Sequence, residues 1–194
     1  MSRVYGKKGG LRIIAGKHRG RKLERPGTGT VRPTKDRVRE AVFGMISPSL
    51  EGVSVLDLFA GSGAYGLEAV SRGAEKAVFL DKNRLCLEII NKNAQNIGEA
   101  SRSIISYADL TCPEAVFTSG FGVFGLIFSD PPYNKGLSKN TLIMVNQYDI
   151  LLPSGLLVIE HHRSEEIPEK AGGICLFKRR DYGDIRVSIY NKNE

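Results

Sequence analysis

The chain has 194 residues, 41% of them hydrophobic, which suits one globular unit with its own core. Its longest apolar runs, such as Gly155 to Ile159, are strand-length and stop at charges, so no membrane span of roughly 20 apolar residues is expected, nor is a secretory signal recognisable. The net charge of +7 is unevenly spread: residues 1–39 hold 13 Lys/Arg against Glu24 and Asp36, a net of +11, and the remainder holds 15 basic and 19 acidic residues, a net of −4. Such asymmetry suits a phosphate backbone, although a solvated tail has the same composition. Cys86, Cys112 and Cys175 stand far apart and complete no metal-ligand spacing with His18, His161 or His162. No metal is expected, and the thiols read as reduced residues of a cytoplasmic protein.

In chain order, residues 1–10 are polar and glycine-bearing, as in a flexible arm. Leu11 to Ala15 and Arg21 to Leu23 read as two short strands around the basic turn Gly16-Lys17-His18-Arg19-Gly20. Pro26 to Thr30 is a loop by composition. After Pro33, Thr34 is a candidate N-cap, and Val38, Ala41, Val42 and Met45 recur at helical spacing until Ser47-Pro48. From Val53 the pattern alternates. Short apolar runs at Val53 to Leu58, Ala77 to Leu80, Ser103 to Tyr107, Leu126 to Phe128 and Leu156 to Ile159 lack polar alternation, as in strands buried on both faces. Helical segments are expected at Ala64 to Ser71, Arg84 to Ile97 and Lys139 to Leu151. The alternation predicts an α/β sandwich with a largely parallel sheet, closed by an antiparallel hairpin of Ile174 to Lys178 and Ile185 to Tyr190.

Val55 to Gly66 is a buried strand running into a glycine-rich turn that opens a helix. Gly61, Gly63 and Gly66 let the backbone turn sharply and approach a ligand, but as a bare G-x-G-x-x-G they fit a dinucleotide as well as S-adenosylmethionine. Asp57 favours the second reading: a carboxylate under the loop suits a cationic ammonium and is a poor neighbour for pyrophosphate. Asp81, 24 residues later, ends the second strand, where an acid can accept both ribose hydroxyls; Asp109 follows the third, within reach of an adenine amino group. Each acid alone also reads as a cap or a solvated carboxylate. Their recurrence at three successive strand ends favours a nucleoside site.

Ser129-Asp130-Pro131-Pro132-Tyr133 follows the fourth strand. Two prolines fix φ and remove two donors, so the Asp130 carboxylate and neighbouring carbonyls form a rigid set of acceptors, although a plain turn is the alternative. An exocyclic amine of a base needs such acceptors, because hydrogen bonds to Asp130 and to the Pro131 carbonyl draw its delocalised lone pair back onto nitrogen. Tyr133 is placed to stack on an extruded base. Guanine offers adjacent N1–H and N2–H donors that one carboxylate accepts together, so Asp130 leans toward guanine over adenine.

With these motifs in place, the sequence resembles the RsmD family, bacterial 16S rRNA guanine-N2 methyltransferases, from Leu11 to about Tyr190. Besides the glycine loop and Asp130 to Tyr133, the resemblance rests on three blocks: Gly16 to Leu23, Arg32 to Phe43 and Tyr182 to Arg186. It implies a Rossmann-like, class I S-adenosylmethionine-dependent methyltransferase fold, with a seven-stranded mostly parallel sheet and an added N-terminal β-hairpin. Residues 1–31 would form the basic arm and hairpin that touch rRNA, and residues 32–194 the methyltransferase domain. Expected cofactor contacts are Asp57, Phe59, Ala60, Gly61 and Gly63 at the first strand, Asp81 and Lys82 at the second, and Asp109 and Leu110 at the third. Arg32 and Thr34 are expected beside them, with Arg37 and Arg39 toward phosphates. Asp130, Pro131, Pro132 and Tyr133 form the expected catalytic set, and Lys17, His18, Arg19, Arg21, Lys22 and Arg37 the expected RNA contacts. The expected partner is 16S rRNA in the small subunit or an assembly intermediate, met by a monomer without metal or membrane.

Three other readings compete. A DNA or RNA adenine-N6 methyltransferase shares the Asp-Pro-Pro-Tyr tetrapeptide, but no separate target-recognition domain is visible here. A noncatalytic RNA-binding protein is opposed by the intact Asp57, Asp81 and Asp130, and an NAD enzyme by Asp57 and the Pro-Pro turn.

Overall fold

The alternating segments form an eight-stranded sheet with helices on both faces in the computed structural model, which describes residues 10–27, 33–46, 49–117 and 122–193. In chain order the elements are α1 (Pro33–Met45), β1 (Ser54–Leu58), α2 (Ala64–Ser71), β2 (Lys76–Asp81), α3 (Arg84–Ile97), β3 (Ser103–Tyr107), α4 (Glu114–Phe117), β4 (Phe124–Ser129), α5 (Leu137–Gln147), β5 (Leu151–His162), β6 (Lys170–Ala171), β7 (Ile174–Tyr182) and β8 (Ile185–Lys192). Their spatial order is β3-β2-β1-β4-β5-β8-β7-β6. Strands β1 to β5 are parallel, and β8, β7 and β6 run antiparallel to their neighbours. This is the expected class of sheet with one strand more, the two-residue β6, which is too short to leave an apolar pattern. The chain winds outward from β1 through β2 to β3 and returns to the other side of β1 as β4. That reversal opens a crevice at the strands' carboxyl ends, where open α/β sheets bind ligands.

One sheet face packs Val55, Ala77, Phe79, Leu126, Phe128 and Val158 against α1, α2 and α3. The other packs Leu56, Leu58, Ile127 and Leu157 against α4 and α5. Strand β3 departs from the expectation of burial on both faces, since Ile104 and Tyr107 stand exposed at the sheet edge. Helix α5 ends at Gln147 rather than Leu151, because Asp149 adopts a positive φ of 51° and Leu151 is already paired with β4. Helix α1 begins at Pro33, so Thr34 lies in its first turn instead of capping it; the fixed φ and missing N–H of proline suit that position.

The N-terminal segment folds back on itself as a short hairpin: Arg12 bridges Lys22, and Ile13 N, Leu23 N and Gly20 N donate to the carbonyls of Arg21, Leu11 and Ile13 at 2.9 Å. The hairpin is tied to the rest of the domain beyond this pairing. Backbone N–H groups of Ile14 and Ala15 donate to the two oxygens of Glu68 on α2, at 2.7 and 2.9 Å. Ser71 continues the junction: its carbonyl accepts from Lys17 N at 2.8 Å and its hydroxyl accepts from His18 N at 3.0 Å. Gly16 passes so close that a Cβ would lie 1.9 Å from the Ser71 carbonyl oxygen, and its φ of +80° also favours glycine. Leu11, Ile13 and Leu23 enter the same apolar cluster as α1 and α2. The hairpin is thus part of the domain's core.

Candidate active site

The strand order sets five carboxylates in a row along the crevice: Asp109 after β3, Asp81 ending β2, Asp57 in β1, Asp130 after β4 and Glu160 in β5. Neighbouring strands lie about 4.8 Å apart, so the row extends across the sheet in steps of that size. Register fixes the depths. Asp57 is level with Phe79 and Phe128, two residues below Asp81 and Asp130, which puts it under the rim. Asp130 and Glu160 follow the paired residues Ser129 and Ile159, so they stand side by side.

Asp57 is only 3% exposed and accepts the Gly66 N–H at 2.9 Å. Burial pushes its carboxyl well above the ordinary aspartate range; the Gly66 bond opposes this, and the charges of Asp130 and Asp81 reinforce it. A cation seated beside it would relieve that cost. The turn above is shaped by positive φ at Phe59 (57°), Gly61 (55°) and Gly63 (74°). Gly66 has a packing role: a Cβ there would lie 2.3 Å from the Phe79 ring. Gly61 is open, with nothing nearer than 3.9 Å to the place of a Cβ, and its N–H donates to Asp81 at 2.8 Å.

Two cavities meet at Phe59. One, of about 340 Å³, is lined by Phe59, Asp81, Lys82, Ala108, Asp109, Leu110, Thr111, Pro132, Lys135 and Leu137. Here the Asp81 carboxylate is already anchored by Gly61 and Asn83 N–H groups, which orient its remaining lone pairs. Asp109 accepts from the Thr111 hydroxyl and N–H, which hold its carboxyl below the usual range, and Lys82 stands 3.8 Å away. The other cavity, of about 370 Å³, is lined by Asp57, Phe59, Ala60, Gly61, Tyr65 and Asp130, and also by Leu11, Arg25, Asp36, Arg39 and Glu160. Both volumes fall in the range of roughly 300–1,000 Å³ typical of small-molecule sites.

Of the expected catalytic set, Asp130 lines the second cavity and Pro132 the first, and Pro131 is buried between them in sequence. Tyr133 lines neither; it is half-buried against the core. Gly63 also sits behind the wall, where a Cβ would press on Ile90 at 3.1 Å. Arg32 lies outside the described residues, as does the side chain of Thr34.

Arg39, expected toward phosphates, and two residues that the sequence reading missed, Glu160 and Tyr65, complete the cavity. Arg39 does not face phosphates: it is 3% exposed, donates to the Arg12 carbonyl at 2.7 Å, pairs with Asp36 at 3.3 Å, and keeps a buried Nε with no hydrogen-bond partner among the described residues. Its signal was present, since position 39 shares the helix face of Val42, Phe43 and Ile46. Glu160, also 3% exposed, accepts the Tyr65 hydroxyl. It follows an apolar strand run, Leu156 to Ile159, as Asp81 follows Ala77 to Leu80. The Tyr65 ring stacks on Phe128 at 4.7 Å and on Phe43 at 6.1 Å, and burial followed by the charge of Glu160 pushes its phenol pKa well up.

Among the expected RNA contacts, Lys17, Arg19, Arg21, Lys22 and Arg37 are exposed. His18 is a correction: its ring is 9% exposed and sits on the Glu99 carboxylate, which also holds Arg102, so it fastens the hairpin to the end of α3. Arg12, Arg19 and Arg37 line a further cleft of about 400 Å³ between hairpin and α1, and Asp36 borders both this cleft and the acid-lined cavity.

A doubly wound sheet of this order, with a glycine turn at the switch point and a nucleoside-sized crevice beside a Pro-stiffened acid, defines a Rossmann-like methyltransferase fold. The family described as Conserved hypothetical protein 95 matches residues 11–191. YlbH of Bacillus subtilis (strain 168) is 34% identical over 94% of this chain and 99% of its own. Ribosomal RNA small subunit methyltransferase D of Escherichia coli (strain K12) is 30% identical over 95% of this chain and 91% of its own. The solved structure of yhhF from Escherichia coli superposes with a TM-score of 0.80 at 31% identity, covering 95% of this chain and 99% of that one. A Salinibacter ruber RNA methyltransferase solved with S-adenosyl-L-homocysteine shares the fold alone, at a TM-score of 0.62 and 15% identity. The chain belongs to this family, the RsmD methyltransferases.

Proposed function

We propose that this methyltransferase modifies the exocyclic N2 of a guanine in 16S rRNA, within the small subunit or an assembly intermediate, with S-adenosyl-L-methionine as donor. The observation that carries the reading is that Asp57 and Asp130 wall one cavity and that Phe59, which borders it, also borders a second edged by Asp81 and Asp109. The residues fit the donor. A buried carboxylate with a raised pKa at Asp57 suits an ammonium, the anchored Asp81 suits two ribose hydroxyls, and Asp109 with Leu110 suits an adenine edge. The relatives' names support a ribosomal RNA substrate.

Bound there, S-adenosylmethionine supplies a methyl group made electrophilic by a sulfonium. The protein's own part is alignment and electrostatics. Asp130 and the Pro131 carbonyl accept hydrogen bonds from the base amine, aim it and keep electron density on its nitrogen. Both acceptors favour the positive charge that develops on that nitrogen, and the spare proton leaves afterwards, so no dedicated general base is needed. Tyr133 supports this rim from the core side. Arg12, Arg19 and Arg37 would take the backbone phosphates flanking the extruded nucleotide, with Lys17, Arg21 and Lys22 extending the basic face.

The test offers labelled S-adenosylmethionine to small subunits lacking the modification, to naked 16S rRNA and to duplex DNA, followed by nucleoside analysis. N2-methylguanosine in the ribosomal substrates is expected. N6-methyladenine, or labelling confined to DNA, would overturn the reading.

A further inference from the structure

The acid row has one more member than a cofactor and a single amine-binding acid require. Asp109, Asp81 and Asp57 occupy β3, β2 and β1, and Asp130 occupies β4. Glu160 lies beyond them all, one strand further from the adenosine end. We infer that Glu160 is a specificity-determining residue that accepts the N1–H of the target guanine while Asp130 accepts the N2–H, with Tyr65 as its positioning residue. This rests on the guanine-N2 reading above.

Three observations carry it. The first is placement: in-register pairing up to Ser129 and Ile159 sets Asp130 and Glu160 side by side, about one strand spacing apart, and both line the same cavity. The N1–H and N2–H of guanine point the same way from adjacent atoms, so two neighbouring carboxylates receive them as a pair. The second is orientation. The Tyr65 hydroxyl donates to Glu160 Oε1, and the Tyr65 ring is clamped by Phe128 and Phe43. That clamped hydroxyl fixes the plane in which the buried Glu160 carboxylate meets the cavity it lines. The third is complementarity. Arg39 brings a buried Nε donor, without a hydrogen-bond partner among the described residues, to the same cavity, so the wall presents acceptors and a donor together. Guanine offers two donors and the O6 acceptor on that edge; adenine, with N1 as an acceptor, would set a lone pair against Glu160.

The experiment is an exchange between enzyme and base. The target nucleotide, once mapped, is replaced in the rRNA by 2-aminopurine, which keeps the 2-amino group but carries a lone pair at N1 and lacks O6. Wild-type enzyme is expected to lose roughly 10- to 100-fold in kcat/KM on this base. E160Q is expected to lose a similar factor on guanine yet to regain activity relative to wild type on 2-aminopurine, because a glutamine amide can donate to the N1 lone pair. The missing O6 penalises both enzymes alike, so the interaction between the two changes isolates the N1 edge. Y65F, which keeps the ring packing and removes the tether, should lower guanine preference in the same direction. Equal losses of E160Q on both bases would mark Glu160 as merely structural, and cofactor affinity falling in step with rate would assign it to the donor; either overturns the inference. If E160Q does not fold, an unchanged guanine preference in Y65F overturns it instead. Should wild-type enzyme make no N2-methylguanosine at all, the underlying function has failed rather than the assignment of Glu160.

Discussion

Replacing Glu68 with alanine should destabilise the whole domain, although Glu68 touches no expected ligand. Its carboxylate is fully buried and accepts from Ile14 N at 2.7 Å, Ala15 N at 2.9 Å and Arg72 Nε at 2.9 Å. Alanine strands two backbone donors and one guanidinium, each hydrogen bond to a charged group being worth about 1.5–3 kcal/mol, while removal of one partner from a buried ion pair costs about 3–5 kcal/mol in total. The three bonds share one carboxylate and do not add, so about 3–5 kcal/mol is expected. For a chain of this size each kcal/mol moves the midpoint by about 2–4 °C, so calorimetry should record a Tm lower by roughly 6–20 °C. Glu68→Gln, which keeps an acceptor for one of the N–H groups, should fall between. Trypsin, cutting after Lys17, Arg19 or Arg21, should also release the hairpin faster from the alanine variant. A Tm change under about 2 °C, with unchanged proteolysis, would refute the reasoning and mean that Leu11, Ile13 and Leu23 hold the hairpin by apolar contact alone.

Asp57→Asn should raise the Tm of the ligand-free protein at neutral pH while abolishing cofactor binding. The wild-type carboxyl is raised in the folded state, so its contribution is present at low pH and lost as pH rises; the two melting curves should therefore converge near about pH 4, and a variant no more stable at pH 7 would contradict the burial argument. Asp130→Ala should abolish turnover with cofactor affinity, read by calorimetric titration, nearly unchanged; loss of both would show that the roles of Asp57 and Asp130 are wrongly divided. Alanine at Arg12, Arg19 or Arg37 should each weaken RNA binding and lower the slope of log K against log salt by about one phosphate contact, with kcat at saturating RNA preserved; an unchanged slope would place the RNA elsewhere.

Much of this was legible because the informative signals were local. Helices α2 and α3 coincide with the expected Ala64 to Ser71 and Arg84 to Ile97, since a glycine turn and the Asn83 cap fix their starts and Gly98 ends the second in a left-handed conformation. Asp57, Asp81 and Asp130 were found by their place at strand ends. What stayed hidden depends on neighbours distant in sequence. The edge position of β3 follows from pairing order, and the docking of the hairpin through Glu68 joins residues more than fifty positions apart. His18 carries the same charge pattern as the exposed Lys17 and Arg19, yet Glu99 draws it inward. Arg39 was expected toward phosphates and Glu160 escaped notice because each is an ionisable residue beside apolar neighbours, where sequence does not tell a buried partner from a solvated face.

The charge asymmetry and the acid row are two halves of one arrangement. Asp57, Asp130 and Glu160 line one cavity of about 370 Å³, where burial, reinforced by the charges of Asp130 and Asp81, pushes the Asp57 carboxyl up. Arg25 and Arg39, both from the basic first 39 residues, line that same cavity, and Arg39 is held in place by the carbonyl of Arg12. The hairpin and α1 thus supply the cationic wall that the acidic remainder of the chain lacks. An appended RNA-binding tail would leave the acid row unchanged when removed. This one, stitched through Glu68, Ser71 and Glu99, would take with it both a wall of the cavity and part of the core, so deletion of the hairpin should compromise cofactor binding and folding together with RNA binding.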